Sequence, residues 1–163
     1  MQKALKILIV RFSSIGDIAQ ALSIIPKLKA SSKNYEIHWI TKTEFGDLIE
    51  LQSDIDCVWR FDASKGILEL IKLGFKLRKE RFDVFYDAHF NIRSLLLKFI
   101  LAFSIKKNVT RIKYRIKRFL LFNFRIDRYP LPFRGILSFI KPLFKSNVIT
   151  DDSYVKTELS FSS

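Results

Sequence analysis

Cysteine occurs once in this chain, histidine twice and glycine five times among 163 residues. A single thiol, Cys57, cannot close an internal disulfide, and two histidines without a Cys/His cluster give no metal-ligand spacing. The composition therefore fits a metal-free domain, without a cofactor, in a reducing cytoplasm. Long apolar runs are also missing. The first, Ile7 to Val10, is too short for a signal peptide and flows straight into a polar loop. The longest later one, around Leu95 to Phe103, is interrupted by Lys98 and falls far below bilayer-spanning length, which argues against an integral membrane protein. Acids are scarce: 16 Asp and Glu face 29 Lys and Arg, a formal net charge of +13. Such an excess concentrates polyanions near the surface, so nucleic acid, anionic lipid and phosphorylated glycan are the partner classes. It is unevenly spread, because from Lys106 to Arg128 nine basic residues face only Asp127.

What is present suits one domain with a real core, since 48% of the residues are hydrophobic. Short β-branched or aromatic runs at Leu5 to Val10, Glu36 to Thr41, Cys57 to Phe61, Phe82 to Asp87 and Val109 to Lys113 predict strands. Between them lie helical patterns. Ile18 to Ala30 carries Pro26 as an expected kink, Glu44 to Leu51 is short, and Ile67 to Glu80 has Leu68, Ile71, Phe75 and Leu77 along one broad face. Asn91 to Phe103 is apolar nearly all round, which predicts a buried helix. Strands alternating with crossover helices predict an α/β, doubly wound, mostly parallel sheet, Rossmann-like in architecture. The polar stretch from residue 146 to 163, Ser-rich at its end, reads as a linker or C-terminal tail, leaving 1–145 as the domain.

In such sheets ligands sit at the carboxyl ends of the strands. Two loops there carry polar chemistry. The first, "RFSSIGD" from Arg11 to Asp17, has one glycine and then an acid where a helix should begin. A glycine-rich loop at that turn holds phosphate with bare N–H groups, whereas a fixed anion repels it. The turn thus suits a hydroxyl, or the uptake of a proton from one; alternatively Asp17 is a plain N-cap. The second loop is "DAHFNIRS", Asp87 to Ser94.

Together these stretches resemble the lipopolysaccharide heptosyltransferases of glycosyltransferase family 9, which transfer a heptose from ADP-heptose to the growing inner core. "KILIVRFSSIGDI", "EIHWITK", "DIDCVWRFD" and "LRKERFDVFYDAHFNIRS" carry the likeness, over roughly Lys6 to Lys145. The resemblance implies the N-terminal, acceptor-side domain of a GT-B type enzyme that acts by inverting transfer. It makes Asp17 the general base and assigns acceptor binding to Ser13, Ser14, Gly16, His89, Asn91 and Arg93. Against that stands the possibility that His89 and Arg93 merely start a capped, solvated helix. Asp87 supports the turn, and His38, alternating with apolar neighbours, is structural. By the resemblance Phe90 occupies the family's glycine position, so the turn is expected to be reshaped or the acceptor pocket altered or lost. Asp17→Asn is expected to leave stability nearly unchanged, because asparagine caps about as well.

The resemblance implies a phosphorylated, lipid-linked acceptor at the inner face of the inner membrane, so the basic run, with Lys113, Arg115, Lys117 and Arg118 solvated, is expected to serve it in a cytoplasmic, peripheral protein; alternatively the run is a soluble basic helix with no specific partner. The resemblance also implies a donor-binding second domain. None is found in these 163 residues, so a nucleotide-sugar is expected to bind only if that domain is supplied, and the chain is expected to be inactive alone. The competing expectation is a non-catalytic basic module for anionic lipid, glycan or nucleic acid; nucleic acid comes last, since no recognisable binding module accompanies the charge.

Overall fold

Residues 4–111 and 135–150 are described by the structure, a computed structural model. Five strands, β1 (Leu5–Val10), β2 (Tyr35–Lys42), β3 (Cys57–Phe61), β4 (Val84–Asp87) and β5 (Lys107–Thr110), pair in parallel in the order β3-β2-β1-β4-β5. Side chains alternate across a strand, so Ile7 and Ile9 enter one core layer while Leu8 and Val10 enter the other. Both faces are covered, which is why β1 reads as an unbroken apolar run.

The Ile7 face is covered by α1 (Ile15–Leu22), α2 (Ile25–Lys29), α3 (Gly46–Glu50) and, later in the chain, a helix at Leu137–Lys145. The Leu8 face is covered by α4 (Gly66–Lys79) and α5 (Ile92–Ile100), and the Leu137–Lys145 helix is α6. Pro26 does not kink one long helix. The chain breaks at Ser23 and Ile24, and Pro26 sits in the first turn of α2, where a missing N–H costs nothing.

Two expectations about helix faces are corrected. The core side of α4 is Leu70, Leu73 and Leu77, while Leu68 and Phe75 are 68% and 54% exposed. Nor is α5 buried all round: Leu97 faces the sheet, but Ile92 and Phe99 are 81% and 80% exposed, and Phe103 in the following turn is 92% exposed. With one layer of helices on this side of the sheet, the second apolar stripe of each helix has nothing above it among the described residues.

The packed unit also reaches past Lys145. Val148 and Ile149 are buried in the core, and the Tyr35 hydroxyl donates to the Val148 carbonyl at 3.0 Å. Composition alone had put this stretch in the tail. No described helix is long and apolar enough to cross a membrane. Lys113, Arg115, Lys117 and Arg118 lie outside the described residues.

Candidate functional site

Between β1 and β4 the strand order reverses, because β1 leads to β2 on one side while β4 lies on the other. A crevice forms at such a switch point, outside the carboxyl ends of the strands. Val10 and Asp87 are paired there in register, so the loops that follow them leave the sheet side by side.

The first loop continues the sheet for two residues. Arg11 N–H donates to the Ile40 carbonyl at 3.1 Å, and Lys42 N–H donates to the Phe12 carbonyl at 3.3 Å. Phe12 is buried in the Leu8 layer. Ser13 is half-buried, and Ser14 is the exposed N-cap of α1, although its hydroxyl makes no capping bond. Asp17 is therefore not the cap; it is the third helical residue, with its carboxylate facing back over the strand ends. Gly16 is helical, and a Cβ there would meet no atom within 4 Å, so neither backbone conformation nor space among the described atoms demands glycine.

What holds Asp17 is a pair of arginines that the sequence did not single out. Arg11 is buried; one of its guanidinium nitrogens pairs with Asp17 Oδ2, and another donates to the Ala88 carbonyl at 2.8 Å. Burial pushes the Arg11 guanidinium down to about 10, the Asp17 charge opposes that shift, and the nearby Arg111 cation reinforces it. Arg111 Nη1 approaches Asp17 Oδ1 at 3.5 Å, its Nε donates to Ser138 Oγ at 3.0 Å, and its guanidinium lies 3.7 Å from the centre of the Phe139 ring. Arg11, directly after β1, and Arg111, directly after β5, thus converge on one carboxylate, and the start of α6 holds Arg111 in place. A lone arginine directly after a buried apolar strand was the available signal for Arg11.

The second loop is organised by Asp87. Its buried carboxylate accepts from His89 N–H at 3.1 Å and Phe90 N–H at 2.6 Å through Oδ1, and from Ser94 Oγ at 2.7 Å through Oδ2. Phe90 adopts the left-handed conformation, at φ +52°, in spite of its bulk. Such a conformation costs about 1–2 kcal/mol without glycine, and the Asp87 bond offsets part of it. Asn91 caps α5 reciprocally with Ser94: its side chain accepts from Ser94 N–H and Ser94 Oγ accepts from Asn91 N–H, each at 2.9 Å.

His89 is half-buried, edge-on to Phe12 at 5.4 Å between ring centres. That contact ties the two loops together. Arg93 is exposed in the first turn of α5.

No family model matches the chain. It is 27% identical over 108 residues to lipopolysaccharide heptosyltransferase 1 of Campylobacter coli, covering 64% of this chain and 32% of that one. The glycosyltransferase family 9 protein of Veillonella parvula superposes with a TM-score of 0.71 at 16% identity, over 100% of this chain and 47% of that one. The E. coli ADP-heptose lps heptosyltransferase II gives 0.66 at 17% identity, over 96% and 45%. The chain resembles the family 9 heptosyltransferases over part of their length.

Its doubly wound α/β fold is that of about half of a heptosyltransferase chain of the GT-B class. In this chain Ser13, Ser14 and His89 belong to the two loops at the switch point, and Gly16 and Asp17 to the first turn of α1 that follows the first loop. Asn91 and Arg93 open the helix beyond, where Asn91 Oδ1 serves the cap. His38 is buried on the other side of β1, between Glu36 at 2.8 Å and the Trp59 indole at 3.0 Å, in keeping with its expected structural role. A cleft of about 330 Å³ between β3 and α4, lined by Trp59, Arg60, Lys72 and Lys76, contains none of the switch-point residues.

Proposed function

We propose that this chain is the acceptor-side domain of a heptosyltransferase-like glycosyltransferase, equivalent to the N-terminal half of such an enzyme. It would hold a lipopolysaccharide inner-core precursor, while a second domain holds the nucleotide-sugar, ADP-heptose by the likeness. The observation that carries this reading is the Asp17 carboxylate, fixed at the switch point by Arg11 and Arg111. In an inverting displacement an acceptor oxygen attacks the anomeric carbon, the bond from that carbon to the diphosphate breaks, and the electron pair leaves with the nucleotide. The hydroxyl proton passes to Asp17. Each carboxylate oxygen takes one arginine, which fixes its direction and leaves lone pairs for the hydroxyl.

Ser13, Ser14, Gly16, His89, Asn91 and Arg93 line the acceptor side in this reading. The basic run with Lys113, Arg115, Lys117 and Arg118 faces the phosphates of the acceptor, or the anionic leaflet at the cytoplasmic face of the inner membrane. A second reading, a non-catalytic module for anionic lipid or glycan, is favoured by one fact: both carboxylate oxygens of Asp17 already face an arginine, as in a structural ion cluster. Nucleic acid ranks last among its partners.

Calorimetry and turnover separate the two. The chain by itself should bind ADP very weakly, and micromolar affinity would overturn the acceptor-side assignment. Mixed with a separately made donor domain, ADP-heptose and acceptor, it should release ADP. Asp17→Asn should then slow release by about 10²–10⁴, and retention of more than about a third of the rate would return Asp17 to a structural role.

A further inference from the structure

We infer that the outer face of α4 and α5 is a docking surface for an anionic lipid bilayer. The inference does not depend on sugar transfer, nor on the basic run after β5. It starts from a repeated pattern. In α4, Leu68 and Phe75 are two turns apart on the side away from the sheet, and in α5, Ile92, Leu95 and Phe99 follow at i, i+3 and i+7. Residues at that spacing share one helix face. Both helices therefore carry two apolar stripes, one against the sheet and one facing outward.

The stripes belong to one surface because the helices are in close contact. A Cβ on Gly74 would come within 3.0 Å of Ile100 and 3.4 Å of Leu97, so α4 and α5 pack at a glycine. Phe103 extends the surface by one turn beyond α5. An exposed apolar area of this kind marks an interaction site.

Charge selects the occupant. Within the two helices Lys72, Lys76, Arg78, Lys79, Arg93 and Lys98 stand against a single acid, Glu69. A second copy of the chain would bring two such cationic rims together, and a protein partner would need an acidic rim around an apolar centre. An anionic bilayer offers both at once: acyl chains for the phenylalanines and phosphate headgroups for the lysines and arginines. Helices of this composition lie in the interface with the apolar face buried about 5–10 Å. Neither helix has the length to cross. The surface is therefore a resting face, in which apolar contact adds to electrostatic attraction.

The test is co-sedimentation of the full chain with phosphatidylcholine vesicles, with and without phosphatidylglycerol, from low to high salt. Binding should require phosphatidylglycerol and leave a fraction that high salt does not remove. The double variant Phe99→Ser, Phe103→Ser should bind about tenfold more weakly or worse at unchanged circular dichroism, given the apolar area removed. If it binds like wild type, or if only replacement of Lys113, Arg115, Lys117 and Arg118 by glutamine weakens binding, the inference fails. Should the double variant not fold, Phe99→Trp decides the matter. Its emission should shift to the blue and be quenched by brominated lipid, and an unquenched indole would overturn the proposal. A dimer that the serine variant dissolves, with no vesicle binding, would give the face to a second copy and overturn it as well.

Discussion

Replacing Asp17 by asparagine tests whether this carboxylate is the counter-ion of a buried cation. Arg11 is buried, and its partners are the Ala88 carbonyl and Asp17. Asparagine keeps an acceptor oxygen but removes the charge, turning a charge-assisted hydrogen bond to a carboxylate into one to a neutral amide. That difference is about 1 kcal/mol. Loss of an acid from the first turn of α1 adds about 0.3–1 kcal/mol. The full penalty of about 3–5 kcal/mol for breaking a buried pair is not reached. Asp17 is 37% exposed, so water screens and solvates that end of the pair. A loss of about 1.3–2 kcal/mol is expected, which lowers the unfolding temperature of a domain this size by about 3–8 °C. Thermal and urea unfolding of Asp17→Asn, Arg11→Met and the double variant form the assay. The double variant should lose less than the two single losses together, because it leaves no buried cation without a counter-ion. An Asp17→Asn midpoint equal to wild type, or strict additivity, would refute the counter-ion role and restore the expectation, drawn from capping alone, of unchanged stability.

Three further outcomes follow from the same structure. Phe90→Gly should raise stability by about 0.5–1 kcal/mol in urea unfolding, because glycine takes the left-handed backbone at φ +52° without steric cost; an unchanged or lower midpoint contradicts the assignment. Ile149→Ala should cost about 2–4 kcal/mol, as for a core isoleucine, whereas a change near zero would make this stretch a tail after all. Hydrogen bonding to His38, together with Lys6, holds the Glu36 carboxyl below its usual range. A depressed folded value adds stability above the unfolded value, about pH 4.3, that is lost as pH falls through the folded one. Wild type and Glu36→Gln should therefore differ at neutral pH and converge in acid; a constant gap down to pH values below that range would exclude the linkage.

Much of the architecture was legible because it rests on local periodicity. Ile7 to Val10 is apolar without interruption, which only a strand covered on both faces tolerates, and the alternation of strands with helices dictated a parallel sheet. The two loops at the strand ends were legible for the same reason: polar residues, an acid and a turn placed directly after apolar runs. Capping by Asn91 and turn support by Asp87 are short-range bonds, within reach of sequence reasoning. Helix faces were not. Apolar residues surround both α4 and α5, so periodicity offered more than one core side, and the choice of Leu70, Leu73 and Leu77 over Leu68 and Phe75 came from docking on Leu8 and Phe85 of the sheet. The clamp on Asp17 was hidden for a different reason. Arg111 lies 94 residues from Asp17 in the chain, and Ser138 a further 27 beyond Arg111. Only the pairing of β4 with β5 brings Arg111 to that carboxylate, and only the packing of α6 on the sheet brings Ser138 to Arg111. Sequence alone determined that an acid stands at the first strand-to-helix turn. Tertiary structure decided that it faces two guanidinium groups, because the energy of an ion pair depends on distances through space that no local pattern records.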